Sequence, residues 1–126
     1  MRMRFVAGIL ALGSVGGCTA STDLPPDELD PVVQITAPLD QATVNGGVSV
    51  DVSAADNYSV EVVRIFIDGV LKQTFYTQPY HYSWSTLTLQ NNTTHTIDAE
   101  AVDGANNVGR ATRVTVTVFN TPNSPQ

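Results

Sequence analysis

Val60-Glu-Val-Val-Arg-Ile-Phe-Ile-Asp-Gly-Val-Leu-Lys-Gln-Thr-Phe-Tyr76 is the stretch that decides the fold. From Val60 to Asp68 it is the most apolar run of the chain beyond its first residues. Val63, Ile65 and Ile67 fall on one face and Val62, Arg64 and Phe66 on the other. That period of two belongs to a strand, whose successive side chains leave opposite faces. Asp68-Gly69 then separates this run from Val70–Tyr76. Asp-Gly is a favoured pair for a two-residue hairpin turn, because both residues tolerate the positive φ such a turn demands. The stretch is read as two antiparallel strands joined by a tight turn.

Working outward, the same period recurs on both sides. Upstream, Val32-Val33-Gln34-Ile35 opens the pattern and Pro38–Gln41 forms a turn. Val48, Val50, Val52 and Ala54 then alternate with Ser49, Asp51 and Ser53 up to a turn at Asp56-Asn57. Downstream, after Gln78-Pro79, Tyr80, Tyr82 and Trp84 share one face with His81 and Ser83 opposite. Asn91-Asn92 marks a loop. Ile97, Ala99 and Ala101 alternate with Asp98 and Glu100, Asp103–Asn107 turns, and Val114, Val116 and Val118 alternate with Thr115 and Thr117. No segment carries a 3.6-residue stripe. About seven short strands with frequent turns predict an all-β, antiparallel β-sandwich in residues 32–119, each sheet having one buried and one wet face. Asn120–Gln126, polar and Pro-containing, reads as a disordered tail.

The first 17 residues are of another kind. Arg2 and Arg4 precede an apolar run, Phe5 to Leu12, that is far shorter than the roughly 20 residues of a membrane-spanning helix. Small residues follow, then Cys18, the single cysteine. This is the layout of a cleaved export signal. Val15-Gly16-Gly17-Cys18 resembles the bacterial lipoprotein signal, or lipobox, with Val15 at its aliphatic position, Gly17 before the cut and Cys18 as its cysteine. The resemblance implies cleavage between Gly17 and Cys18, a diacylglyceryl thioether on Cys18 and an acyl chain on its new amine. It also implies a lipid-anchored protein of the cell envelope. Thr19, rather than Asp, follows the cysteine, which resembles the pattern sent to the outer membrane. Two or more acyl chains make a stable anchor where one does not. Lipidation also accounts for a lone cysteine in an exported chain, where thiols otherwise pair.

Residues 18–31 read as a lipidated terminus and a disordered linker. Thr19 to Pro31 holds Asp23, Asp27, Glu28 and Asp30 with three prolines and no basic residue. Such a segment is extended and does not pack. It forms a stalk of up to about 40 Å, at about 3.1–3.3 Å per residue. Loss of residues 1–17 removes Arg2 and Arg4, leaving Arg64, Lys72, Arg110 and Arg113 against 12 acidic residues. Such an acidic chain argues against binding nucleic acid, since phosphate recognition leans on Lys and Arg.

Particular residues from Pro31 to Phe119 resemble the bacterial Ig-like domains of exported multi-domain proteins. They are Val33-x-Ile35-Thr36-x-Pro38, Ala54-x-Asp56-Asn57, Phe66-Ile67-Asp68-Gly69, Pro79-Tyr80-x-Tyr82-x-Trp84, His95-Thr96-Ile97 and Ala101-x-Asp103-x-Ala105-x-Asn107. Six pieces in the right order at the right spacing carry the resemblance. The chain departs from the pattern at Tyr58 and Asn106, where the family often has Gly, and both departures bear on loop conformation. The resemblance implies an Ig-like/fibronectin-III-like sandwich. It also raises a carbohydrate-binding accessory role, since related domains accompany secreted glycoside hydrolases.

Chemistry is sparse. No Gly-x-Ser-x-Gly elbow, phosphate-cradling glycine loop or His-Glu-x-x-His helix is present. His81 and His95 have no cysteine or carboxylate at ligand spacing, so no enzyme is expected. Asp56, Asn57, Asp103 and Asn107 sit at turns and offer the hard oxygen ligands of Ca²⁺. The same residues are ordinary turn formers, bonding their own backbone. Trp84, in phase with Tyr80 and Tyr82, reads as a core residue. Val62, Arg64 and Phe66 form a candidate interaction face, unless Leu71 or Phe75 covers Phe66 within the domain. The expected role is adhesion, docking or spacing, with a protein partner in the envelope or a polysaccharide, and with no cofactor beyond the lipid.

Overall fold

The structure is a computed structural model and describes residues 28–121. The cleavage and lipidation positions Gly17 and Cys18, and the linker up to residue 27, lie outside the described residues, as do residues 122–126. Nine strands follow in order: β1 (Val32–Ala37), β2 (Thr43–Val44), β3 (Gly47–Ala55), β4 (Val60–Ile67), β5 (Val70–Phe75), β6 (Tyr80–Ser85), β7 (Thr93–Asp103), β8 (Val108–Arg110) and β9 (Val114–Val118). No helix occurs among the described residues.

The strands make the two layers of a sandwich. One sheet has the order β1-β3-β6; the other runs β2-β9-β7-β4-β5, with β8 also paired to β7. The turn between β4 and β5 is the two-residue one expected: Ile67 pairs with Val70, and Asp68 and Gly69 take φ of 52° and 82°. Period-two alternation becomes burial. Val63, Ile65 and Ile67 are enclosed, as are Ile97, Ala99, Ala101, Val114, Val116 and Val118 from the same sheet. Val33, Val48, Val50, Val52, Tyr80 and Trp84 meet them from the other. Each such aliphatic side chain contributes about 1.5–3 kcal/mol on leaving water. Aromatic rings bridge the layers. Trp84 of β6 meets His95 of β7 edge-on at 5.9 Å, and Tyr80 meets Phe75 at 6.1 Å.

The sandwich differs from the sequence reading in four respects. Two strands are additional: β2, of two residues, and β8, of three, are too short to show alternation. β2 also pairs with β9 in parallel, because the chain crosses from one sheet to the other after β1. The Pro38–Gln41 turn makes this crossing and is held by Gln41 N–H to the Thr115 carbonyl at 2.7 Å and by Thr115 N–H to Asp40 Oδ1 at 2.9 Å.

The domain also extends past both expected ends. Pro31, assigned to the linker, is buried. Its carbonyl lies so close to Gly109 that a Cβ there would overlap it. Asn120, assigned to the tail, closes one end of the sandwich. Its Oδ1 accepts from Gly46 N–H at 2.7 Å, its Nδ2 donates to the Thr86 carbonyl at 2.8 Å, and its backbone exchanges two hydrogen bonds with the Asn91 amide. The fully buried Thr86 completes this clasp by donating to the Gly46 carbonyl at 2.9 Å.

Candidate functional site

The outer face of the larger sheet holds the groups most suited to a partner. Val62, Arg64 and Phe66 project from β4 on the side away from the core, and all three are half-buried. Across the ladder, Arg64 stands opposite Glu100 and Phe66 opposite Asp98 on β7, while Leu71 of β5 flanks Phe66 on its other side. Leu71 remains 48% exposed, so it borders Phe66 without sealing it. Phe75 turns inward onto Tyr80. The three residues singled out from alternation therefore do share one face.

Two further residues belong there that sequence reasoning did not single out. Arg110, on β8, lies 3.3 Å from Glu100, whose other oxygen takes Arg64 Nη1 at 2.8 Å. Arg113 donates from Nε to Asp98 at 2.9 Å. Between Arg110 and Arg113 the sheet surface dips into a groove of about 280 Å³, lined by Phe66, Gly69, Ala99 and Ala111 and by Asp98, Glu100, Arg110 and Arg113. Nothing local in the sequence marks Arg110 and Arg113. Arg110 shares Glu100 with Arg64 only because β7 lies between β8 and β4.

The acidic loops gather at one end of the sandwich. Gly104 N–H donates to the Ser59 carbonyl, and Val60 pairs with Asp103, so the Asp56–Ser59 loop abuts the Asp103–Asn107 turn. Asp103 is buried, and its carboxylate serves the turn itself. Oδ1 accepts from the N–H groups of Ala105 and Asn107 at 2.8 and 2.9 Å, and Oδ2 from Asn107 Nδ2 at 2.9 Å. Asn106 takes a φ of 69°, the left-handed conformation that Gly adopts freely and Asn tolerates. Asp56 accepts from Tyr58 N–H through Oδ2, and its Oδ1 is enclosed with no partner among the described residues. Asn57 is exposed. Among the described residues, no three His, Cys, Asp or Glu side chains are placed to hold a metal ion.

Both histidines have carboxylate partners, contrary to the reading from spacing, because those partners lie far away in sequence, on β3 and in the β4–β5 turn. On the wet face of the smaller sheet, His81 Nδ1 lies 2.6 Å from Asp51 Oδ1, and Ser83 Oγ lies 3.4 Å from His81 Nε2. In the larger sheet, His95 Nδ1 lies 2.7 Å from Asp68 Oδ2 and its Nε2 2.9 Å from Thr93 Oγ1. Asp68 Oδ1 also accepts from Thr96 N–H at 3.0 Å, which ties the β4–β5 turn to β7.

Burial raises the Asp68 carboxyl. The hydrogen bonds from His95 and Thr96, with the nearby charges of His95 and Lys72, outweigh that and hold it below its usual 3.8. A carboxylate depressed on folding stabilises fully above its unfolded value and ceases to do so as pH falls through its folded value. Urea midpoints taken from neutral pH downward are therefore expected to fall more steeply below pH 3.8 in the native chain than in Asp68→Asn.

Residues 31–99, more than half of the chain, match the family model described as bacterial Ig domain. Among solved structures, the chain is similar to the fibronectin(III)-like modules of Clostridium thermocellum CbhA, with a TM-score of 0.61 at 16% identity over 69% of this chain and 94% of that one. It is also similar to the endo-beta-1,4-mannanase from Thermotoga petrophila, with a TM-score of 0.58 at 14% identity, covering 75% of this chain and 21% of that one. At these identities the likeness shows the fold alone. No curated protein matches the chain.

Proposed function

The chain belongs to the bacterial Ig domain family, and from that premise we propose a non-enzymatic, lipid-anchored envelope protein that presents one sandwich for docking. Residues 1–17 direct export, Cys18 carries the lipid at the outer membrane, and the domain meets an envelope or secreted protein through the outer face of its larger sheet. The observation that carries this reading is the groove beside Phe66, where an aromatic ring and aliphatic groups lie among paired arginines and carboxylates. Interface centres combine such aromatics and arginines. The outer face of the smaller sheet, by contrast, presents Ser49, Ser53 and Ser83 around the paired His81 and Asp51.

Geometry also favours a non-catalytic role. Ser83 and His81 stand 3.4 Å apart on the wet face of the smaller sheet. Both are exposed on a strand, where nothing excludes water.

A second reading, carbohydrate recognition, draws on Tyr58 and Tyr76, which are 64% and 73% exposed. The register of β4 and β5 sets both toward the end where β4 begins.

A photocrosslinking residue placed at Phe66 or at Ser49 in intact cells separates these readings. Adducts to a protein from position 66 alone are expected, with the wild-type chain in the membrane fraction and Cys18→Ala in the soluble fraction. Equal labelling from both faces removes the docking reading. Glycan capture lost in Tyr58→Ala or Tyr76→Ala replaces it with the second.

A further inference from the structure

Arg64, Arg110 and Arg113 are three of the four basic residues that follow position 18, and the fold brings all three to one face. Two carboxylates answer them there, with Glu100 shared between Arg64 and Arg110 and Asp98 bound to Arg113. A guanidinium has five N–H donors. Arg110 and Arg113 each commit few of theirs, and their side chains are 71% and 62% exposed. In a chain of net charge −6, these three guanidiniums share two carboxylates.

The complementary charge is close at hand. Asp23-Leu-Pro-Pro-Asp-Glu-Leu-Asp30 places four carboxylates among two leucines and two prolines. It also enters the domain at β8, the strand that carries Arg110. Pro31 is packed against Gly109, and Gly109 is the immediate neighbour of Arg110 on β8. The groove runs from the level of Arg110 to that of Arg113, about 10 Å along an extended chain, whereas the eight residues from Asp23 to Asp30 reach about 26 Å at about 3.3 Å each. The length therefore allows the segment to round β8 and lie along the groove.

We propose that the acidic segment Asp23–Asp30 docks in this groove. Its carboxylates accept from the solvent-facing N–H groups of Arg110 and Arg113, and a leucine packs beside Phe66. A tethered segment meets its site at an effective concentration in the millimolar range, so weak individual contacts suffice to populate the docked state. Docking folds the stalk back and covers the face assigned to partner binding. A partner that enters the groove must then bring its own carboxylates and displace the segment, which releases the stalk to its full length. This consequence rests on the proposed docking function; the contact between segment and groove does not.

The test uses the processed chain from position 18, with Cys18→Ser and a nitroxide on Ser21→Cys. Amide signals of Gly69, Ala111 and Arg113 are expected to broaden several-fold more than those of Ser49 and Ser83 on the opposite sheet. The difference is expected to vanish in about 1 M salt, where the screening length falls to about 3 Å. It is also expected to vanish in Arg110→Glu/Arg113→Glu and in Asp23→Asn/Asp27→Asn/Glu28→Gln. The second set alters only the segment, so its effect cannot arise from misfolding of the groove. Equal broadening on both faces, or a preference that survives neutralisation of the segment, overturns the proposal. Crosslinking from Phe66 in cells reads partner engagement separately, so either idea can fail alone.

Discussion

Replacing Trp84 with alanine is expected to cost about 3–5 kcal/mol, the range for a buried Trp or Phe. That is a large share of the roughly 5–15 kcal/mol that holds a domain of this size together. Trp84 is 5% exposed and crosses from the smaller sheet to His95 of the larger. Its removal opens a cavity between two layers that backbone pairing on both sides prevents from collapsing. The melting temperature is expected to fall by about 12–40 °C, since 1 kcal/mol shifts a small domain by about 4–8 °C. Calorimetry checks the value. Tyr58→Ala and Tyr76→Ala serve as controls, because surface substitutions ordinarily stay within about 0.5 kcal/mol. A Trp84→Ala chain that melts with those controls would show that the two sheets do not depend on the indole.

Asp103→Ala is expected to cost about 3 kcal/mol or more through a different mechanism. The carboxylate satisfies two backbone N–H groups and the Asn107 side chain inside a closed turn. Leaving a buried donor unmet costs about 1–3 kcal/mol. Asp103→Asn is expected to lose about half as much, because one amide oxygen still accepts from Ala105 and Asn107. Urea midpoints with an unchanged m-value, together with faster amide exchange at Ala105 and Asn107, provide the measurement. A chelator that lowers the melting temperature of the native chain would instead return Asp56, Asn57, Asp103 and Asn107 to the role of cation ligands.

Much of the architecture is legible in the sequence. The β4–β5 hairpin was readable because its signal is local: alternation assigns the inner face, and Asp-Gly assigns the turn. The shared face of Val62, Arg64 and Phe66 followed from the same alternation. Trp84 was placed in the core by its phase with Tyr80 and Tyr82. β2 and β8 escaped notice because two or three residues cannot display a period. Asn120 resembled a frayed end because its partners, Gly46, Thr86 and Asn91, lie far away in sequence.

Period and turn chemistry set the class of fold, the position of most strands and which side chains point inward, because backbone geometry imposes these within a few residues. Which strands are neighbours, and with that the chemistry of the surface, is fixed by the packed fold. It joined His81 to Asp51 and His95 to Asp68, and it set Glu100 between Arg64 and Arg110. It also brought the root of the acidic segment beside β8. Apart from Glu100 with Arg110, on the consecutive strands β7 and β8, these join strands or segments that do not follow one another along the chain. Period and turn chemistry do not encode sheet order, which the joint packing of both layers selects.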